Sequence, residues 1–275
     1  MLGAKKLRTG IFAVTAMGLL NLGQLHAQQP AAASASSPAT AATAAPAPLP
    51  SGHPNNPYWA EHDRLLMVDF GWLAHFQEAD AMLGAPKPGE DRVVFMGDSI
   101  TEGWKLADSF PGKSYVNRGI SGQTTPQMLV RFRQDVIDLK PKAVILLAGT
   151  NDLAGNTGPM TIEQTEGNIA SMAELARANG IRVVLCSILP ALDYWWAPGR
   201  DPAPKILAIN LWLKSYAAKN GFAYVDYYAA MKDGRDGLPA TLSKDGVHPL
   251  PAGYAIMAPL AEAGIEKALK TGTRD

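Results

Sequence analysis

Cysteine is almost missing from this chain. Of 275 residues only Cys186 is one, which excludes an internal disulfide as a source of stability. An excess of one charge is missing too, since 25 basic residues face 25 acidic ones. A balanced chain lacks the basic footprint of a protein that grips nucleic acid or an anionic membrane surface. The apolar run from Ile11 to Leu20 is too short for a membrane span, which needs about 20 residues. Histidine and acidic residues show no metal-ligand spacing. No Gly-x-Gly-x-x-Gly opens a helix, and Gly103 is followed by Trp104 rather than by lysine and a hydroxyl residue, so no phosphate loop is read. No internal repeat is visible. These absences lead us to expect no metal, no cofactor, no nucleic-acid partner and no stable membrane anchor.

The N-terminal residues carry a different signal. Lys5, Lys6 and Arg8 precede the apolar Ile11–Leu20 run, and Leu25-His26-Ala27 ends in a small residue. This layout predicts a signal peptide over residues 1–27, cleaved after Ala27. No cysteine stands there to take a lipid, so a periplasmic or secreted bacterial protein is expected. Removing three basic residues leaves the remainder at net −3. Residues 28–51 are nearly all Ala, Pro, Ser, Thr and Gln, too poor in large apolar side chains to offset the entropy of ordering. They are expected to form a disordered linker, with one domain over residues 52–275.

Within that domain, short apolar runs alternate with helical segments. Arg92–Met96, Ser114–Asn117, Ala143–Ala148, Arg182–Ile188 and Phe222–Asp226 read as strands. They lack period-two alternation, which suits strands covered on both faces. Helices are expected over Thr125–Leu139, Thr161–Asn179, Pro204–Asn220 and Pro251–Lys270, with Pro259 kinking or breaking the last. Leu65, Val68, Trp72, Phe76, Ala79 and Leu83 keep helical spacing and predict an extra N-terminal helix. The pattern implies an α/β fold. We expect a three-layer α/β/α sandwich on a five-stranded parallel sheet in flavodoxin-like order, its site beyond the carboxyl ends of the strands.

Polar clusters stand at those ends. Gly97-Asp98-Ser99-Ile100-Thr101 follows the first strand, and a serine there can present its hydroxyl at the sheet edge. Serine needs a base. Of five histidines, only His248 lies in a polar loop after the last strand, three residues after Asp245. That aspartate is placed to bond the imidazole. Turn chemistry explains either cluster alone, because Gly, Asp and Ser are the usual turn formers. Two further clusters change the balance: Asn117-Arg118-Gly119-Ile120-Ser121-Gly122 after the second strand, and Gly149-Thr150-Asn151-Asp152 after the third.

With these four blocks the chain resembles the GDSL/SGNH hydrolase family, from about Arg92 to Leu260. The wording of its first and third blocks is similar to the platelet-activating-factor acetylhydrolase branch. The resemblance implies Ser99 as nucleophile, His248 as base and Asp245 as the acid that orients it. It also implies an oxyanion hole from the Ser99 and Gly122 backbone amides and the Asn151 side chain. Gly119 is the rival to Gly122, which is favoured because Gln123 and Thr124 follow it as in the family. Asp98 and Asp152 are expected to shape loops by local hydrogen bonds.

Trp195 and Trp196 lie in a Pro- and Gly-flanked loop after the fourth strand. They are placed either to meet a sugar ring or an acyl chain, or to pin the loop to the body. Trp104, close after Ser99, has the same two readings. The expected activity is an exported serine esterase acting on short-chain esters of small molecules or carbohydrates, O-acetyl groups included. A lysophospholipase or thioesterase for longer chains is the alternative. A non-catalytic binding module on the same fold is the alternative of another class.

Overall fold

The computed structural model describes residues 57–270. The expected signal peptide (1–27) and linker (28–51) lie outside the described residues. Five strands form one sheet: β1 (Val93–Gly97), β2 (Tyr115–Gly119), β3 (Ala143–Leu147), β4 (Arg182–Cys186) and β5 (Ala223–Val225). All neighbours are parallel, in the order β2-β1-β3-β4-β5. This is the doubly wound, flavodoxin-like arrangement that the sequence implies.

Helices cover both faces. Four precede the second strand: α1 (Pro57–Val68), α2 (Gln77–Leu83), α3 (Ser99–Glu102) and α4 (Leu106–Ser109). Then come α5 (Thr125–Phe132), α6 (Thr150–Ala154), α7 (Ile162–Ala178) and α8 (Pro202–Asn220). The last two are α9 (Tyr227–Met231) and α10 (Pro251–Lys270). Val94, Met96, Val144 and Leu146 enter one core with Met128, Phe132, Ile169 and Met172. Val93, Phe95, Ala143 and Ile145 enter the other with Met257, Ala261 and Ile265. Side chains do alternate between faces, but both faces are apolar, so the sequence reads as unbroken apolar runs. Each such side chain contributes on the order of 1.5–3 kcal/mol when fully buried. These two cores hold a domain that has no crosslink.

Register places the site. Gly97 pairs with Gly119 on one side and Leu147 on the other, so β1, β2 and β3 end level. The loops that follow them share one edge of the sheet.

Three expectations are corrected. The apolar stripe from Leu65 to Leu83 is not one helix. It is α1 and α2, separated by turns in which Trp72 takes a positive φ of 53°. Asp69 ends the first helix by accepting hydrogen bonds from the backbone N–H groups of Leu73 and Ala74. Three glutamine side chains, Gln123, Gln127 and Gln134, then donate to the carbonyls of Gly71, Phe70 and Leu73. The helix expected from Thr125 to Leu139 changes to a π-helical turn at Arg133–Ile137. Of the kink or break expected at Pro259, the break does not occur, since α10 runs through it. Pro259 faces solvent, where water can satisfy the carbonyl it frees, while Met257, Ala261 and Ile265 anchor both sides of it in the core.

Candidate active site

The turn after β1 is built for tightness. A Cβ on Gly97 would collide with Thr101 Oγ1 and lie 2.7 Å from the Leu147 carbonyl oxygen, so only glycine fits. Asp98 caps α3, its Oδ1 accepting from the Ile100 N–H at 2.9 Å. Burial pushes the Asp98 carboxyl up to about 6. Ser99 is thereby fixed at the first position of the helix with its hydroxyl at the sheet edge.

The loop before α10 brings the imidazole to it. Ser99 Oγ lies 2.9 Å from His248 Nε2, across 149 residues of sequence. On the other side of the ring, His248 Nδ1 lies 2.6 Å from Asp245 Oδ2. Asp245 Oδ1 accepts from Ser243 Oγ and from the backbone N–H groups of Val247 and His248. Partial burial alone would raise this carboxyl. The His248 backbone N–H, the imidazole and the Val247 N–H outweigh burial and hold it well below the usual carboxylate range. An ionised Asp245 keeps the proton on Nδ1, which leaves Nε2 free to accept one from serine.

Two loops bring Gly122 and Asn151 to the same cleft. Gly122 follows β2 with φ of 77°, a backbone state that favours glycine. Asn151 sits in the first turn of α6, and its Nδ2 donates to the Gln123 carbonyl at 3.0 Å. An amide nitrogen carries two hydrogens, so one remains for a ligand. Ser99, Gly122, Asn151 and His248 line one cleft of about 270 Å3 with Trp195, Trp196 and two residues of α1, Tyr58 and Trp59. That volume suits a small acyl group and part of an alcohol, being slightly below the usual range for drug-sized ligands.

The two tryptophans differ. Trp196 is nearly buried and its Nε1 donates to Asn156 Oδ1 at 2.9 Å, so it pins the loop while its ring lies 6.2 Å from that of His248. Trp195 is 54% exposed at the rim. Trp104 is a correction. Its indole is buried in the opposite core beside Phe95, Phe110 and Tyr254, and its Nε1 donates to Ser109 Oγ. The short helix α3 turns the chain inward, so closeness to Ser99 in sequence does not become closeness to the cleft.

Asp152 accepts from the Thr125 N–H and hydroxyl and from Thr165 Oγ1, which ties α6 to α5 and α7. Burial pushes it up to about 6. Among the described residues, no group of three or more His, Cys, Asp or Glu converges to hold a metal.

Sequence reasoning missed four contributors. Asn156 donates to both Asn151 Oδ1 and the Gly122 carbonyl, coupling the two donor loops. Arg131, fully buried, donates to Gln123 Oε1 and to the carbonyls of Gly97 and Arg118. Tyr58 and Trp59 reach the cleft from far upstream. None stands in a strand-end cluster, the signal by which the others were found.

Known proteins fit this geometry. A GDSL-like lipase structure from Bacteroides thetaiotaomicron superposes with a TM-score of 0.70 at 46% identity, covering 73% of this chain and all of that one. The lipoprotein YqeF of Bacillus subtilis is 33% identical over 129 residues, 40% of this chain and 53% of its own length. An acetylxylan esterase of Geobacillus stearothermophilus is 27% identical over 214 residues, 64% of this chain and 95% of that protein. The sequence model of the GDSL-like Lipase/Acylhydrolase family matches residues 95–256. The chain belongs to the GDSL-like lipase/acylhydrolase family and is a carboxylic-ester hydrolase.

Proposed function

We propose that this hydrolase removes short acyl groups, O-acetyl groups on carbohydrate among them, and that it acts after export. The observation that carries the reading is the relay itself: 2.9 Å from Ser99 Oγ to His248 Nε2, and 2.6 Å from His248 Nδ1 to Asp245. In this reading Ser99 Oγ attacks the ester carbonyl carbon as His248 Nε2 takes its proton. The Ser99 and Gly122 amides and Asn151 Nδ2 receive the developing oxyanion. As the C–O bond breaks, His248 returns the proton to the leaving alcohol, and an acyl-serine remains. Water, deprotonated by the same imidazole, then attacks the acyl carbon and releases the acid.

Support for a short acyl group comes from the small cleft. Support for a sugar alcohol comes from exposed Trp195 at the rim and from the acetylxylan esterase relative. A lipoprotein relative and the layout of residues 1–27 support export. The test is hydrolysis of aryl acetate and acetylated xylo-oligosaccharide by the wild type and Ser99→Ala. A fall of about 10⁶-fold in kcat, to the level of the oxyanion hole acting alone, is expected. Equal rates in the two proteins overturn the assignment. If export holds, the secreted product begins at Gln28; a product that retains residue 1 contradicts it.

A further inference from the structure

One helical turn carries both Ser99 and a carboxylate that grips the loop of Gly122. Ser99 and Glu102 are the first and last residues of α3, three apart and so on one face of it. The Glu102 N–H donates to the Asp98 carbonyl and the Gly103 N–H to the Ser99 carbonyl, both at 2.9 Å, which fixes the spacing of the two residues. The same backbone rests on the end of β2. A Cβ on Gly119 would lie 2.7 Å from Glu102 Cα, so glycine there serves this packing.

From that base, Glu102 Oε2 accepts from the Ser121 N–H at 3.0 Å and from the Ser121 hydroxyl. Ser121 and Gly122 form the middle of a tight turn, closed by the Gln123 N–H on the Ile120 carbonyl at 3.3 Å. Asn156 holds the far side of this turn through the Gly122 carbonyl at 2.9 Å.

An oxyanion donor works within about 2.7–3.1 Å of the developing charge, and a misplacement of about 1 Å can cost on the order of 10²-fold in rate. Two donors on separate loops therefore need a tether that fixes one against the other. Glu102 is such a tether, with its backbone in the helix of Ser99 and its carboxylate on the turn of Gly122. Its charge works against the reaction. Burial first, then the charges of Glu102 and Asp98, push the Tyr58 phenol up to about 12, so the carboxylate is felt at the cleft wall. The useful part of the side chain is its acceptor oxygen rather than its charge.

We infer that Glu102 is a positioning residue, which fixes the Gly122 turn against α3 and so sets the spacing between the Ser99 and Gly122 amides that receive the oxyanion. This rests on the reading of Ser99 as nucleophile and of those two amides as donors.

The experiment measures kcat and KM for p-nitrophenyl acetate on the full chain, in the wild type, Glu102→Ala, Glu102→Gln and Ser121→Ala. Rates are taken per site titrated to completion with a fluorophosphonate, so a lowered active fraction cancels. Glu102→Ala removes both bonds to Ser121, and kcat falls about ten- to hundredfold with KM within about twofold of wild type. Glu102→Gln keeps an acceptor and drops the charge, so kcat stays within about threefold of wild type or rises above it. Ser121→Ala keeps the N–H bond and falls less than Glu102→Ala. A kcat for Glu102→Ala within about twofold of wild type overturns the inference, as does a loss that appears in KM alone. It is overturned equally if Glu102→Gln falls as far as Glu102→Ala, which would assign the effect to charge, or if Ser121→Ala does, which would assign it to the hydroxyl. A wild type with Ser99-dependent turnover that Glu102→Ala matches sinks this inference alone. Absence of Ser99-dependent turnover in the wild type removes the nucleophile reading and this inference with it.

Discussion

An amide side chain can turn either end toward a cleft, and at Asn151 a neighbour decides. Asn156 Nδ2 donates to Asn151 Oδ1, so the oxygen faces Asn156 and the nitrogen faces Gln123 and the cleft. A neutral donor held in this way is preorganised for negative charge and needs no rearrangement as that charge forms. Asn151→Ala is expected to lower kcat by about 10²–10³-fold while KM changes little, since the interaction is made with the oxyanion and not with the ground state. A steady-state comparison checks it; a variant that loses KM and keeps kcat contradicts the role. Ser99, Gly122, Asn151 and His248 were legible in the sequence because each sits in a small polar cluster at a strand end or in the final loop. Tyr58 was not, because its approach to Gly122 spans 64 positions and leaves no motif.

At the scale of elements, one buried arginine joins the pieces. Arg131 reaches from α5 to the ends of β1 and β2 through the Gly97 and Arg118 carbonyls, and it pairs with Asp135 at 2.8 Å. Both partners are fully buried. A buried pair is worth less than its Coulomb energy, but removing one member strands the other charge. Arg131→Met is therefore expected to cost about 3–5 kcal/mol, and the double variant Arg131→Met/Asp135→Leu to regain a substantial part of it. Urea denaturation midpoints at unchanged slope measure both. A single variant that loses less than 1 kcal/mol, or a double variant that loses more than the single, would falsify this account. The strands were legible at this scale because β-branched runs buried on two faces look alike in any context. The break between α1 and α2 was not, because it depends on Asp69 and on glutamines more than 50 residues away.

For the whole molecule, the buried acids beneath the cleft make stability depend on pH in a direction that can be worked out. Asp98 and Asp152 have folded values raised to about 6, chiefly by burial. An unfolded aspartate releases its proton near 4. Between those values the folded chain holds protons that the unfolded chain has lost, so this contribution is full below about pH 4 and is lost as pH rises through 6. Burial lowers His62 and His75, and these act in the opposite sense: the unfolded chain protonates them first, so their contribution is lost as pH falls. The wild-type curve mixes the two. The difference between wild type and Asp152→Asn reports this carboxyl together with its repulsion of Asp98, because the histidines are common to both. As pH rises from 4 to 7, Asp152→Asn should gain on wild type by on the order of 2 kcal/mol. Asp245, held low, has its contribution complete by about pH 5 and is likewise shared by both proteins. Chemical denaturation at pH 4, 5, 6 and 7 gives the difference directly. A flat difference would mean that Asp152 keeps the proton affinity of an unfolded aspartate, its charge carried by the Thr125 and Thr165 donors, and the domain would then hold a carboxylate beneath its active site at no pH-dependent cost.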